Sequence, residues 1–187
     1  GFVFYPPSPR NLSPEAAAPL IARVPENVSR VGLFVDPTDD LINAVLALSS
    51  LDLVQLHGSE TPARVTEIKQ LTNLSIMKVI KLAGPEDLAS AAAYYDVADR
   101  LLFDAKAPAD MKNALPGGNA LAFDWELLRD ADIPLPWMLA GGLDAENLAE
   151  AVSISGASEL DVSSGVESAP GIKDLKLIKD FLSAAKG

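Results

Sequence analysis

The residues of this sequence best suited to chemistry stand where apolar runs stop. Arg100-Leu101-Leu102-Phe103 ends at Asp104 and is followed by Ala105-Lys106. A carboxyl group held away from water at a strand end can act as a general acid, whereas an Asp after a strand otherwise serves as a turn or cap residue. Lys106 either neutralises Asp104 or faces solvent. Two glycine-bearing turns come later, Ala140-Gly141-Gly142-Leu143 and Ser163-Ser164-Gly165-Val166. Either alone is an ordinary tight turn. Together, at adjacent strand ends, Gly141, Gly142, Ser163, Ser164 and Gly165 offer backbone N–H groups to a phosphate.

Those positions require strands that all end on one side. Strands are predicted over Phe2–Tyr5, Val31–Val35, Leu53–Leu56, Ile76–Ile80, Arg100–Asp104, Pro136–Ala140 and Glu159–Val162. A run of Leu and Phe bounded by charge, such as the one ending at Asp104, suits a strand buried on both faces of a parallel sheet. Between the strands lie amphipathic helices. Their predicted starts are Ser13-Pro14, Thr61-Pro62, Gly84-Pro85, Asp124 and Asp144, where a side-chain oxygen or a first-turn Pro suits a helix amino end. The expected apolar faces include Ala17, Leu20, Ile21 and Val24; Leu41, Ala44, Val45 and Leu48; Val65, Ile68, Leu71 and Thr72; and Leu175, Ile178, Phe181 and Leu182. The segment from Lys106 to Ala120 is long for an α/β connection, so it is either a functional lid or a disordered excursion, and Pro116-Gly117-Gly118-Asn119 supplies the hinge chemistry for a lid.

Strands alternating with helices, without hairpin signals, imply right-handed βαβ units and a parallel sheet. Seven units can be counted, whereas a closed (β/α)₈ barrel has eight and spans at least roughly 200 residues. The expected fold is therefore α/β, a (β/α)₈ TIM barrel whose first βα unit is absent from the chain, in one domain over residues 1–187. A doubly wound open sheet is the alternative. The chain opens on Gly1-Phe2-Val3 without an initiator Met, which leads to the expectation that the true start lies upstream.

Composition narrows the partners. With 26 acidic and 15 basic side chains the net charge is −11, which repels a polyphosphate backbone and argues against nucleic acid. There is no cysteine, hence no disulfide or zinc-thiolate site within these residues. That fits a reducing, cytoplasmic setting. No apolar run is long enough to cross a membrane as a helix.

Several runs, taken in order, carry a family resemblance. They are Gly1-Phe2-Val3-Phe4 with Ser8-Pro9-Arg10, Val54-Gln55-Leu56-His57-Gly58, Leu102-Phe103-Asp104, Gly117-Gly118 with Phe123-Asp124-Trp125, Leu139-Ala140-Gly141-Gly142-Leu143, and Asp161-Val162-Ser163-Ser164-Gly165-Val166-Glu167 with Pro170-Gly171-Lys173-Asp174. The sequence resembles phosphoribosylanthranilate isomerases of tryptophan biosynthesis. The resemblance implies an Amadori rearrangement of N-(5′-phosphoribosyl)anthranilate in a (β/α)₈ barrel, with no metal and no organic cofactor. It implies that Asp104 is the general acid, that Arg10 meets the anthranilate carboxylate, and that Asp161 lies near the anthranilate amine. His57 either lines the substrate site or is a turn histidine bonded to backbone. The family's base, a cysteine at the end of the first strand, has no counterpart in these residues. The glycine pair Gly117-Gly118 continues Asn119-Ala120 where the family has Ser or Thr then Gly. The expected partner is a small phosphorylated substrate, with no nucleic acid and no membrane, bound by a monomer or homodimer. Indole-glycerol-phosphate synthase is the neighbouring enzyme reading, and a catalytically silent barrel serving as a binding module is the reading from another class.

Overall fold

The computed structural model describes residues 1–107, 117–118 and 121–186. The predicted lid lies largely outside them, including Asn119-Ala120. The described residues form an α/β fold with a parallel sheet of six strands in the order β1-β2-β3-β4-β5-β6. The chain divides into two compact units.

The first unit comprises residues 1–79 and 93–100. It holds β1 (Phe2–Phe4), α1 (Pro14–Ile21), β2 (Val31–Phe34), α2 (Asp39–Leu48), β3 (Leu53–Leu56), α3 (Pro62–Thr72) and the start of β4 (Ser75–Leu82). Register is set by parallel pairs such as Phe4↔Phe34, Phe34↔Leu56 and Leu56↔Lys78. Local chemistry starts the helices as predicted. The Ser13 and Thr61 side chains accept hydrogen bonds from the N–H groups of Ala16 and Arg64, and Pro14 and Pro62 open the first turns. Phe4 and Phe34 stack at 5.2 Å in a core shared with Ile21, Ile42, Val45, Leu56 and Ile68.

Three predicted faces are corrected here, one of them in α3, where Val65 and Ile68 are buried but Leu71 is 39% exposed. In α2 the buried side chains are Ile42 and Val45, while Ala44 and Leu48 point to solvent. Apolar residues fill nearly the whole of Leu41–Leu48, so spacing alone admits two stripes, and the sheet takes the one it can close on. In α1, Ala17 and Ile21 are buried but Leu20 is 44% exposed, and Val24 lies beyond the helix.

The second unit comprises residues 80–92 and 101–187. It holds the end of β4, α4 (Pro85–Ser90), β5 (Arg100–Ala105, from Leu101 on), β6 (Trp137–Leu139), α5 (Leu148–Ser155), β7 (Glu167–Ala169), β8 (Ile172–Lys173) and α6 (Leu175–Ala184). Leu101 to Ala105 are all buried, as the apolar run predicts. Asp124 caps a short 3-10 turn over Trp125–Leu128 through the N–H of Glu126.

Four expectations fail in this unit. The strand predicted at Glu159–Val162 reduces to one bridge, Leu139↔Leu160, flanked by bonds from Leu139 N–H to Glu159 and from Asp161 N–H to Leu139. β7 and β8 form an antiparallel hairpin where none was read, because Pro170-Gly171 turns the chain and Gly171 adopts φ +82°. Asp144 bonds the N–H groups of Glu146 and Asn147 in the turn before α5, and is not the helix cap. In α6 only Phe181 is fully buried, while Leu175 is 75% exposed and Leu182 52%.

Candidate active site

In the second unit, β5 delivers Asp104. The carboxylate is 6% exposed at the residue level and its Oδ1 accepts a hydrogen bond of 2.9 Å from the N–H of Ala105. Phe103, one residue earlier, meets the Trp137 ring edge-on at 5.6 Å. Alternation therefore sends Asp104 to the opposite face from that aromatic pair.

Register brings a second carboxylate to the same level. Phe103 is paired with Leu139 and Leu139 with Leu160, so Asp104, Ala140 and Asp161 all stand one residue beyond a registered row. Two interstrand spacings separate Asp104 from Asp161, about 10 Å. Between them lies Gly141, at φ +87°, where a Cβ would fall 2.7 Å from the Ala105 nitrogen and 3.1 Å from Asp104 Oδ1. Only a residue without a side chain lets the backbone pass so close to the acid.

The two glycine turns meet. A Cβ on Gly165 would run into the carbonyl oxygen of Leu143, which directly follows Gly141-Gly142. Ser164–Val166 forms a single 3-10 turn after Ser163. Lys173 fastens this turn from β8: its Nζ lies 2.8 Å from the Ser163 carbonyl oxygen, 3.3 Å from Ser163 Oγ and 2.9 Å from Glu167. A cation thus stands beside the turn read as a phosphate site, a feature unnoticed in the sequence. The pattern Glu167…Lys173 around Pro170-Gly171 was its only signal.

Of the two roles considered for it, Lys106 takes the solvent-facing one, with its side chain 49% exposed, and it pairs with a carboxylate other than Asp104. Its Nζ pairs with Asp87 at 2.6 Å, drawn there because α4 places that carboxylate at its first turn. Burial pushes the Asp87 carboxyl up, but the bonds from Lys106 and from the Ala83 N–H outweigh it and hold the group below the usual range.

In the first unit, Arg10 is half-buried in the turn after β1, with its N–H bonded to Ser8 Oγ and with Asn11 bridged to Val3. His57 is 7% exposed, and its N–H donates to the Phe34 carbonyl at 2.8 Å. Around it lies a buried polar group that sequence reasoning missed. Lys78 and Glu60 form an ion pair at 2.7 Å with side chains 3% and 1% exposed. The signal was present: a lysine inside the apolar run Ile76–Ile80 must find a partner if the strand is buried on both faces. Among the described residues, no group of three or more His, Cys, Asp or Glu side chains could hold a metal ion.

A family model described as N-(5′-phosphoribosyl)anthranilate isomerase matches residues 1–184. The chain belongs to this family. It is similar to the isomerase of Paramagnetospirillum magneticum, with 56% identity over 188 residues, covering 100% of this chain and 86% of that protein. Among solved structures it is similar to phosphoribosylanthranilate isomerase from Thermotoga maritima, with a TM-score of 0.87 and 36% identity over 100% of this chain and 87% of that one. A second isomerase structure, at TM-score 0.84 and 34% identity over 100% of this chain and 86% of that one, is a complex with reduced 1-(o-carboxyphenylamino)-1-deoxyribulose 5-phosphate. No helix among the described residues is long and apolar enough to cross a membrane.

Proposed function

We propose that this chain isomerises N-(5′-phosphoribosyl)anthranilate to 1-(2-carboxyphenylamino)-1-deoxyribulose 5-phosphate, a step of tryptophan biosynthesis in the cytoplasm. The family match over residues 1–184 carries the reading. The product analogue held by its structural relative gives the substrate class, a phosphorylated sugar joined to an anthranilate.

Asp104 is the acid. Its proton goes to the ribose ring oxygen, the C1′–O bond breaks and a Schiff base to the anthranilate nitrogen forms. A base then takes the C2′ proton, and the resulting enolamine becomes the ketone. The removal of Asp104 from water beside Gly141 supports the first step. Asp161, level with Asp104, faces the anthranilate amine. Arg10 pairs with the anthranilate carboxylate, for which a guanidinium fork is suited, and His57 lines the substrate. The phosphate rests on the backbone of Gly141, Gly142, Ser164 and Gly165 beside Ser163, which the contact of the two glycine turns through Leu143 supports.

The finer reading is a closed (β/α)₈ barrel whose first βα unit, with a cysteine base at its strand end, lies outside these 187 residues. The place of β1 at one end of the strand order supports it, since a closed barrel leaves no such edge. An intact mass of the natural gene product equal to 19.7 kDa counts against it. The function itself is tested by incubating the full-length protein with N-(5′-phosphoribosyl)anthranilate and separating the products by chromatography. Formation of the deoxyribulose phosphate is the expected result, and its absence overturns the assignment.

A further inference from the structure

We infer that the buried Lys78–Glu60 ion pair is a positioning device for His57, fixing the turn that carries the histidine so that substrate binding, more than folding, depends on it. The kinetic part of this inference rests on the isomerase reading, while the positioning part does not.

Charges taken out of water need every hydrogen bond they can make. An ammonium has three protons to donate. Those of Lys78 have three acceptors within reach: the carbonyl oxygens of Leu56 at 3.3 Å and Gly58 at 2.9 Å, and Glu60 Oε2 at 2.7 Å. The other oxygen, Glu60 Oε1, accepts the N–H groups of Asp36 at 2.8 Å and Gly58 at 3.0 Å. Tyr94 closes the group from outside, donating its hydroxyl to the Glu60 carbonyl at 3.0 Å with its ring 5.6 Å from Lys78 Nζ.

His57 sits in the middle of these bonds. The carbonyl before it and both backbone groups of Gly58 after it belong to the ion pair's shell, and its own N–H is bonded to Phe34. The neighbouring loop is locked by the same carboxylate. Asp36, a non-glycine residue at φ +45°, gives its N–H to Glu60 and accepts the Ser59 N–H on Oδ1 at 2.7 Å. A Cβ on Gly58 would fall 2.6 Å from the Asp36 nitrogen. A strained residue persists only where its surroundings over-determine it, and here both loops are tied to one pair of charges. The charges themselves are not required for stability, since buried ion pairs are often no better than hydrophobic replacements. What an apolar pair cannot supply is a fixed set of directions for the backbone on either side of His57.

The decisive variant is Lys78→Met/Glu60→Leu in the full-length protein, which removes both charges together. Its melting temperature is expected to fall much less than that of Lys78→Met alone, because no charge is left unpaired, although the carbonyls of Leu56 and Gly58 and the N–H groups of Asp36 and Gly58 lose a partner. His57 is the only histidine of these residues, and its ring NMR signal, assigned by its loss in His57→Gln, is expected to broaden or split as the turn loosens. KM for N-(5′-phosphoribosyl)anthranilate is expected to rise by about tenfold with kcat little changed, the mark of lost binding. Should the double variant fail to fold, Glu60→Gln, which keeps the volume and one acceptor oxygen, is read by the same two measurements. An unmoved His57 signal, or a KM within about twofold of wild type, overturns the inference. A wild-type protein without isomerase activity counts against the isomerase reading alone, and the His57 signal then decides whether the pair positions the turn.

Discussion

Replacing Gly141 by alanine measures how closely the backbone must pass Asp104. At φ +87° a residue with a Cβ is strained by about 1 to 2 kcal/mol. The methyl would also arrive 2.7 Å from the Ala105 nitrogen and 3.1 Å from Asp104 Oδ1, and forcing extra volume into a filled site costs about 1 to 3 kcal/mol. The sum is about 2 to 5 kcal/mol. Gly156 provides the control. It ends α5 at φ +74°, and a Cβ there meets nothing within 4 Å, so Gly156→Ala carries the backbone cost alone. At this chain length the expected falls in melting temperature are about 5 °C for Gly156→Ala and about 10 °C for Gly141→Ala. Thermal unfolding followed by circular dichroism reads both. In the isomerase assay Gly141→Ala should lose about tenfold or more in kcat, since its clash falls on the acid, while Gly156→Ala keeps its rate. Equal losses of stability in the two variants would refute the close approach, and an unaltered kcat in Gly141→Ala would separate Gly141 from Asp104.

Asp104→Asn should cut kcat by at least about a hundredfold while product affinity, measured by titration, is kept; a near-normal rate removes Asp104 from the mechanism. Lys78→Met alone strands a buried carboxylate and should cost about 3 to 5 kcal/mol in a urea melt, far more than an exposed lysine would. Hydrogen bonds from the Arg30 side chain and N–H push the Asp52 carboxyl from 3.8 down to about 2. Its contribution is therefore complete above pH 3.8 and fades as pH falls through about 2. Because both side chains are about a third exposed, Asp52→Asn should flatten the acid limb of the stability profile by no more than about 1 kcal/mol. Thr61→Ala removes the cap on the Arg64 N–H and should lower stability by about 1 kcal/mol in the same melts.

Much of this protein was decided within a few residues of sequence. Ser13, Thr61 and Asp124 cap what they were expected to cap because a side-chain oxygen reaches only the next turn, and the wholly apolar run before Asp104 had to be a strand buried on both faces. The parallel sheet followed from alternation. Tertiary structure alone decided what depends on a partner distant in sequence. It chose Ile42 and Val45 over Ala44 and Leu48 as the buried side of α2, because an apolar stretch with two possible stripes is settled by the surface it meets. It gave Lys106 to Asp87. It also joined Lys78 to Glu60, which lie on neighbouring strands and loops 18 residues apart; the sequence of a buried strand shows that a charge needs a partner, and only strand register shows which one is within reach.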